Sequence, residues 1–252
     1  MNRSKAKLCV LIVLMLACNA ATAQVGTVKG ASSSNRNGSS EGGFRGGPFG
    51  VGMFYMFADV TVRGFAIWQK NVLQHRGEVP NVLSLEVYGQ AAIQPSTYYV
   101  FNPRIRGNWG IFLTDFRMNY MVEEKIGAPQ DLRTDDWQIL GLNLINKKNV
   151  TLRLSTGIMH EAFGEGAVFS ESVLGLNVMS DNQSIGGMGE FRWAKDRFTI
   201  SSPRIEASLG VQKKLLDHNH IHLFATGGVM FQRYYDEINV WGMTGGVAFK
   251  LY

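Results

Sequence analysis

The feature that most constrains this chain is a period of two that keeps charge on one face. In "WGIFLTDFRMNYMVEE", Phe112, Phe116, Met118, Tyr120 and Val122 share one face of an extended strand. Asp115, Arg117 and Asn119 share the other. An acid and an arginine in mid-strand need an enclosed partner or water. The apolar face needs a core or lipid.

The same pattern recurs from Gly50 onward. Phe54, Met56, Ala58, Val60, Val62, Ala66 and Trp68 oppose Asp59, Thr61 and Arg63. Leu83, Leu85, Val87, Ala91 and Ile93 oppose Ser84, Glu86 and Gln90. Val150, Leu152, Leu154 and Ile158 oppose Thr151, Arg153 and Ser155, and Phe191 and Trp193 oppose Glu190 and Arg192. Ile205, Ala207, Leu209 and Val211 oppose Glu206, Ser208 and Gln212. Two further alternating stretches run from Ile221 and from Trp241, and "WQILGLNLI" and "FSESVLGLNVM" are strand-like. No stretch has convincing helical periodicity. The expectation is about ten strands, most of them roughly nine to fifteen residues long. Ordinary strands average nearer five or six residues, whereas a tilted membrane-spanning strand needs ~9–11.

The connections alternate as well. Those near Asn146, Asp181 and Asp217 are tight, and those at 69–81, 123–135, 161–169 and 195–203 are longer. An up-and-down barrel whose two ends face different compartments has this alternation. Two gaps break it: Pro95 to Asn108 is long where it should be short, and the one around Asp236 is short where it should be long.

Alternation alone does not say which face points inward. A soluble barrel turns the apolar face in, and a membrane barrel turns it out toward lipid. The mid-strand charges are Arg63, Arg117, Arg153 and Arg192 with Asp59, Glu86, Asp115, Glu171, Glu190 and Glu206. Lysines Lys147, Lys148, Lys195, Lys213, Lys214 and Lys250 fall in turns or near strand ends. A wet sheet face uses lysine freely, while the planar guanidinium suits enclosed carboxylate pairs. The expectation is a narrow lumen filled by an ion-pair network of those ten residues, with the apolar face outward. The alternative is a soluble exported barrel with apolar faces inward around an apolar ligand.

The amino end reads as a secretory signal, residues 1–23. Arg3, Lys5 and Lys7 precede an apolar run from Leu8 to Ala17, too short to span a bilayer, and Ala21 and Ala23 fit the small-x-small cleavage rule. Cleavage after Ala23 leaves 229 residues. "MLAC" offers a second route, lipidation at Cys18. Both cysteines, Cys9 and Cys18, lie within the signal, so the mature chain is expected to hold no disulfide or thiolate site. The formal charge of +5 includes the signal's bases and falls to about +2 without them, which points to no particular partner. Residues 24–50 are rich in Gly, Ser and Asn and read as a flexible lead-in. Their "GGFRGG" lacks the Lys-Ser/Thr of a phosphate loop.

With the signal ending "ATAQ", the alternating strands and the final "GGVAFKLY", the chain resembles the small outer-membrane β-barrel proteins of Gram-negative bacteria. The resemblance is architectural, covers residues 50–252 and singles out no member. It implies an all-β, antiparallel up-and-down transmembrane β-barrel of about 8–10 strands over 51–252, located in the outer membrane. It also implies outer-membrane lipid and the barrel assembly machinery as partners, the latter through an assembly signal carried by Phe249 and Tyr252. Lys250 departs from the usual apolar or aromatic residue of that signal.

Chemistry is sparse. His160 and Glu161, with Ser170 and Ser172, are the best hydrolase candidates, but the His-x-Ser pairing of barrel lipid hydrolases is missing. His218, His220 and His222 alternate around a turn without a carboxylate cluster, and read as a polar turn rather than a metal site. Arginine beside aromatics in "EFRW" and "FQRYY" suits an interfacial girdle containing Trp193, Tyr234 and Trp241 better than nucleic acid. No cofactor and no enzymatic activity are expected. The expected role is structural, adhesive or that of a narrow, porin-like pore.

Overall fold

In the computed structural model, the described residues are 63–74, 79, 82–94, 98–123, 130–164, 166–196, 202–236 and 238–252. The expected signal, the lead-in and Asp59 lie outside them. Ten strands follow one another: β1 (Leu83–Gln94), β2 (Tyr98–Trp109), β3 (Phe112–Glu123), β4 (Gln130–Asn146) and β5 (Val150–Glu161). Then come β6 (Val168–Met179), β7 (Ile185–Lys195), β8 (Arg204–His218), β9 (Ile221–Tyr234) and β10 (Ile238–Leu251). Each pairs antiparallel with its sequence neighbours, and β1 pairs with β10, from Leu85↔Leu251 to Ile93↔Met243. The sheet is therefore a closed up-and-down barrel without a free edge.

Two elements differ from the sequence reading. Residues 63–74 form a helix, α1, rather than a strand. Phe65, Trp68, Gln69, Val72 and Leu73 are its half-buried positions, spaced i, i+3, i+4, i+7 and i+8, which is helical spacing. Only the short overlap of Ala66 and Trp68 had mimicked period two. Conversely, the long gap from Pro95 to Asn108 contains β2. Its outward Tyr99, Phe101, Ile105 and Trp109 alternate with inward Asn102, Arg104, Arg106 and Asn108. Pro103 hides the strand, because proline lacks the N–H that a central strand donates. The β2–β3 pairing indeed stops at Phe101↔Tyr120 and resumes at Arg104↔Arg117.

Placing β2 splits the long gap into the connections 95–97 and 110–111, so that 95–97 joins 235–237 as a short connection at the end where the other three are long. The connections 110–111, 147–149, 180–184 and 219–220 lie at one end, with the start of β1 and the end of β10. The connections 95–97, 124–129, 162–167, 196–203 and 235–237 lie at the other. Helix α1 sits at the tight-turn end. Gln69 accepts from Ile111 N–H at 2.7 Å and donates to the Trp109 carbonyl at 3.2 Å, so it grips both sides of the β2–β3 turn. Gly110 has φ +68° there, and a Cβ on it would collide with the Gln69 amide. Phe65 stacks on Trp68 and lies 6.3 Å from the Phe112 ring.

The two faces are cleanly sorted. Leu83, Leu85, Val87 and Ile93 point outward, as do Phe116, Tyr120, Leu174, Leu176, Val247 and Phe249. Glu86, Asp115, Arg117, Asp136, Arg192 and Glu206 are buried inside. The apolar faces are outward, opposite to the arrangement needed for an apolar ligand cavity. On β1, β2, β3, β5, β6 and β10 no outward position carries Asp, Glu, Lys or Arg. On β4, β7, β8 and β9 the outward charges (Asp131, Arg133, Asp135, Lys195, Lys213 and Arg233) stand toward strand ends. Inside, the long-loop end is filled by an apolar cluster that includes Tyr98, Val100, Met121, Leu132, Tyr234 and Val240.

Candidate functional site

Below that apolar cluster, the lumen holds charge. A carboxylate or guanidinium removed from water is tolerated only when it is paired and hydrogen-bonded. The strand period delivers such groups to the inner face from eight of the ten strands, and ring closure brings opposite walls within reach.

One part of the network centres on Asp115 and Glu190. Arg104 Nε donates to Asp115 Oδ1 at 2.7 Å, and its Nη2 also reaches that carboxylate. The same guanidinium holds both Glu190 oxygens, at 3.1 and 2.7 Å. Arg106 contacts Glu86, Asp115 and Glu190 at 3.3, 3.1 and 3.3 Å. Tyr88 donates its hydroxyl to Glu86, and both arginines approach the Tyr88 ring.

The other part centres on Asp136 and Glu171. Arg117 donates to Asp136 at 2.7 and 2.9 Å and grips Glu206 with two nitrogens, at 2.5 and 2.9 Å. Arg204 joins Asp136 at 2.7 Å to Glu171 at 2.6 Å and donates to the Thr134 hydroxyl at 2.7 Å. Gln138 donates to Glu171. Gln232 donates to Glu206 at 2.8 Å and to Asn119 at 3.2 Å, and Asn119 donates to the Tyr234 hydroxyl at 3.1 Å.

Arg192 links the two parts. It is 1 % exposed and donates to Glu190 at 2.6 Å and to Glu171 at 3.2 Å, with Asp115 and Asp136 at 3.7 and 3.8 Å. Six carboxylates and five arginines thus share one continuous set of contacts. Each of those carboxylates is engaged by a guanidinium, which leaves none poised as a free base or nucleophile.

The residues named from sequence distribute as follows. Glu86, Asp115, Arg117, Glu171, Glu190, Arg192 and Glu206 meet in the lumen. Arg153 points inward on β5 but makes no ion pair among the described residues. Arg63 is not in the lumen at all: it begins α1 and is exposed at the tight-turn end. Arg104, Arg106, Asp136 and Arg204 were missed. The first two lie on the strand that Pro103 disguises, and the last two lie where β4 and β8 begin earlier than their apolar residues do. Lys250 lies at the end of β10 as expected, but it points inward: it is 2 % exposed, 4.6 Å from the Phe224 ring centre and 3.1 Å from Gln212. Tyr234 is also inside rather than in an outer girdle, while Trp193 and Trp241 keep their outward positions.

The hydrolase candidates do not converge. Alternation sends Glu161 inward, where it accepts from the Tyr235 hydroxyl at 2.6 Å, and sends His160 outward, 3.8 Å from Asp135. Ser170 donates to the Lys195 carbonyl at 3.1 Å. The histidines of the β8–β9 turn hold the end of β10: the His222 ring stacks on Tyr252 at 4.3 Å, and His220 Nδ1 lies 2.8 Å from the Tyr252 carbonyl. Among the described residues, no group of three or more His, Asp or Glu is placed to hold a metal ion. Phe249 faces outward on β10, between Val87 and Leu223.

Fold and site together define a closed ten-stranded antiparallel β-barrel with an apolar exterior and an ion-paired interior. No protein-family model matches the chain, and no curated protein matches it.

Proposed function

We propose that this chain is an integral outer-membrane β-barrel protein, exported by a cleaved signal, with a structural or adhesive rather than enzymatic role. The observation that carries the reading is the uncharged outer belt around a charged interior. Water rewards the opposite arrangement, because it would solvate the charges and bury the apolar face. Hydrocarbon rewards this one. From Leu83 to Ile93 the belt on β1 covers ten residue steps. At ~3.3 Å per step and ~40° of tilt, that is about 25 Å, the height of a lipid-facing apolar band.

The plugged interior favours a scaffold over a conduit. Ion pairs tie opposite walls, and the apolar cluster fills the long-loop end. Three connections at that end, 124–129, 162–167 and 196–203, are longer in sequence than any at the other, and long connections are where partners commonly bind.

The test is reconstitution into bilayers whose acyl chains carry bromine. Outward Trp109, Trp137, Trp193 and Trp241 should be quenched strongly, and planar bilayers containing the protein should show no steady conductance. A folded protein that stays in the aqueous phase with unquenched emission would overturn the membrane reading. A stable conductance would overturn the plug in favour of a pore.

A further inference from the structure

Arg153 stands apart from the other lumen arginines. Arg104, Arg106, Arg117, Arg192 and Arg204 each touch at least one carboxylate. Arg153 touches none among the described residues, and its Nε has no hydrogen-bond partner. Its place is nevertheless prepared. It pairs in register with Gly175 of β6, and a Cβ on that glycine would stand 3.3 Å from Arg153 Nε. The missing side chain is what lets the arginine stem lie along the wall.

Beside it lies a cavity of about 70 Å³. Its lining includes Arg153 and three further arginines, Arg104, Arg106 and Arg117, together with the neutral hydrogen-bond donors Gln90, Asn102, Asn177, Ser208 and Thr244. Glu190 and Glu206 also border it, but both are already held by arginines. A guanidinium stays charged at any ordinary pH. Arg153 has no carboxylate in contact, and it faces a space lined by four arginines and by two carboxylates that are already engaged, a surrounding that favours a negative guest.

We propose that this cavity binds a small inorganic anion of the size of chloride, held by Arg153. One water needs ~10–15 Å³ on the same measure, so about 70 Å³ has room for a small anion with a few waters and is too small for a nucleotide or a lipid headgroup. This goes beyond the structural role above and does not depend on where the barrel resides.

The experiment measures the quadrupolar line width of chloride NMR in the presence of the folded protein in micelles. The wild type should broaden the signal beyond a micelle blank, and added bromide should reverse the excess. Arg153→Gln should abolish the excess, with Arg153→Lys restoring part of it. Far-ultraviolet circular dichroism and heat-dependent gel mobility check that the variants are folded. Should Arg153→Gln not fold, Asn177→Asp supplies an internal acid at the cavity and should abolish the excess instead. A wild type no broader than the blank, or a folded variant as broad as the wild type, would overturn the assignment.

Discussion

Arg104 on β2 and Glu190 on β7 meet at 2.7 Å, although five strand steps separate them in either direction around the ring. Arg117 on β3 and Glu206 on β8 do the same at 2.5 Å. Each pair links walls that stand opposite one another. The interior is therefore braced by charge where a soluble protein of this size would use apolar packing.

Glu190 answers three guanidiniums, those of Arg104, Arg106 and Arg192. Glu190→Gln should leave them short of one counter-charge and cost about 3–5 kcal/mol of unfolding free energy. Urea titration in liposomes reads this directly. Combining it with Arg104→Gln should cost less than the sum of the two, because the partners share one contact.

Arg117→Leu strands Glu206 and should destabilise the barrel by about 3–5 kcal/mol. The double variant Arg117→Leu, Glu206→Leu should recover much of that loss, since Asp136 keeps Arg204. An unchanged unfolding midpoint for the single variant would mean that the pair contributes nothing.

The outer belt makes a prediction specific to lipid. Leu174 is 41 % exposed, midway along β6, between Leu154 and Phe191. Leu174→Arg should cost about 2–4 kcal/mol in bilayers. An added charge near the strand ends, where Arg133 and Lys213 already stand, should cost about 0–1 kcal/mol. Equal costs at the two depths in a liposome urea series would contradict a lipid-facing belt.

The grip of α1 on the barrel is testable through Gln69. Gln69→Ala removes two hydrogen bonds to the β2–β3 turn and should lower stability by about 0.5–1.5 kcal/mol. Hydrogen exchange should show the Ile111 amide losing protection while the amides of β6 keep theirs.

How legible this was in sequence depended on local period and on distance along the chain. Strands such as β3 and β10 could be read, because their apolar faces repeat every second residue with few breaks, Thr114 in β3 and Gly245 in β10. β2 could not, because Pro103 and a run of polar inward residues look like a loop. Residues 63–74 carry both periods over a short window, and contact with the β2–β3 turn selects the helical one. The inward direction of Asp115 and Arg117 followed from the choice of arginine over lysine. Their partners did not: Glu206 lies 89 positions from Arg117, and only ring closure sets them face to face. The isolation of Arg153 is likewise a fact of three-dimensional packing, since its neighbours in sequence resemble those of Arg117.

The most direct test of a closed barrel in the outer membrane is gel mobility. The full chain, expressed with its own amino-terminal segment, is taken from washed outer membranes and run with and without boiling in detergent. A folded barrel in that fraction should migrate at one position unheated and shift after boiling. A single unshifted band, found in the soluble periplasmic fraction, would contradict the membrane barrel.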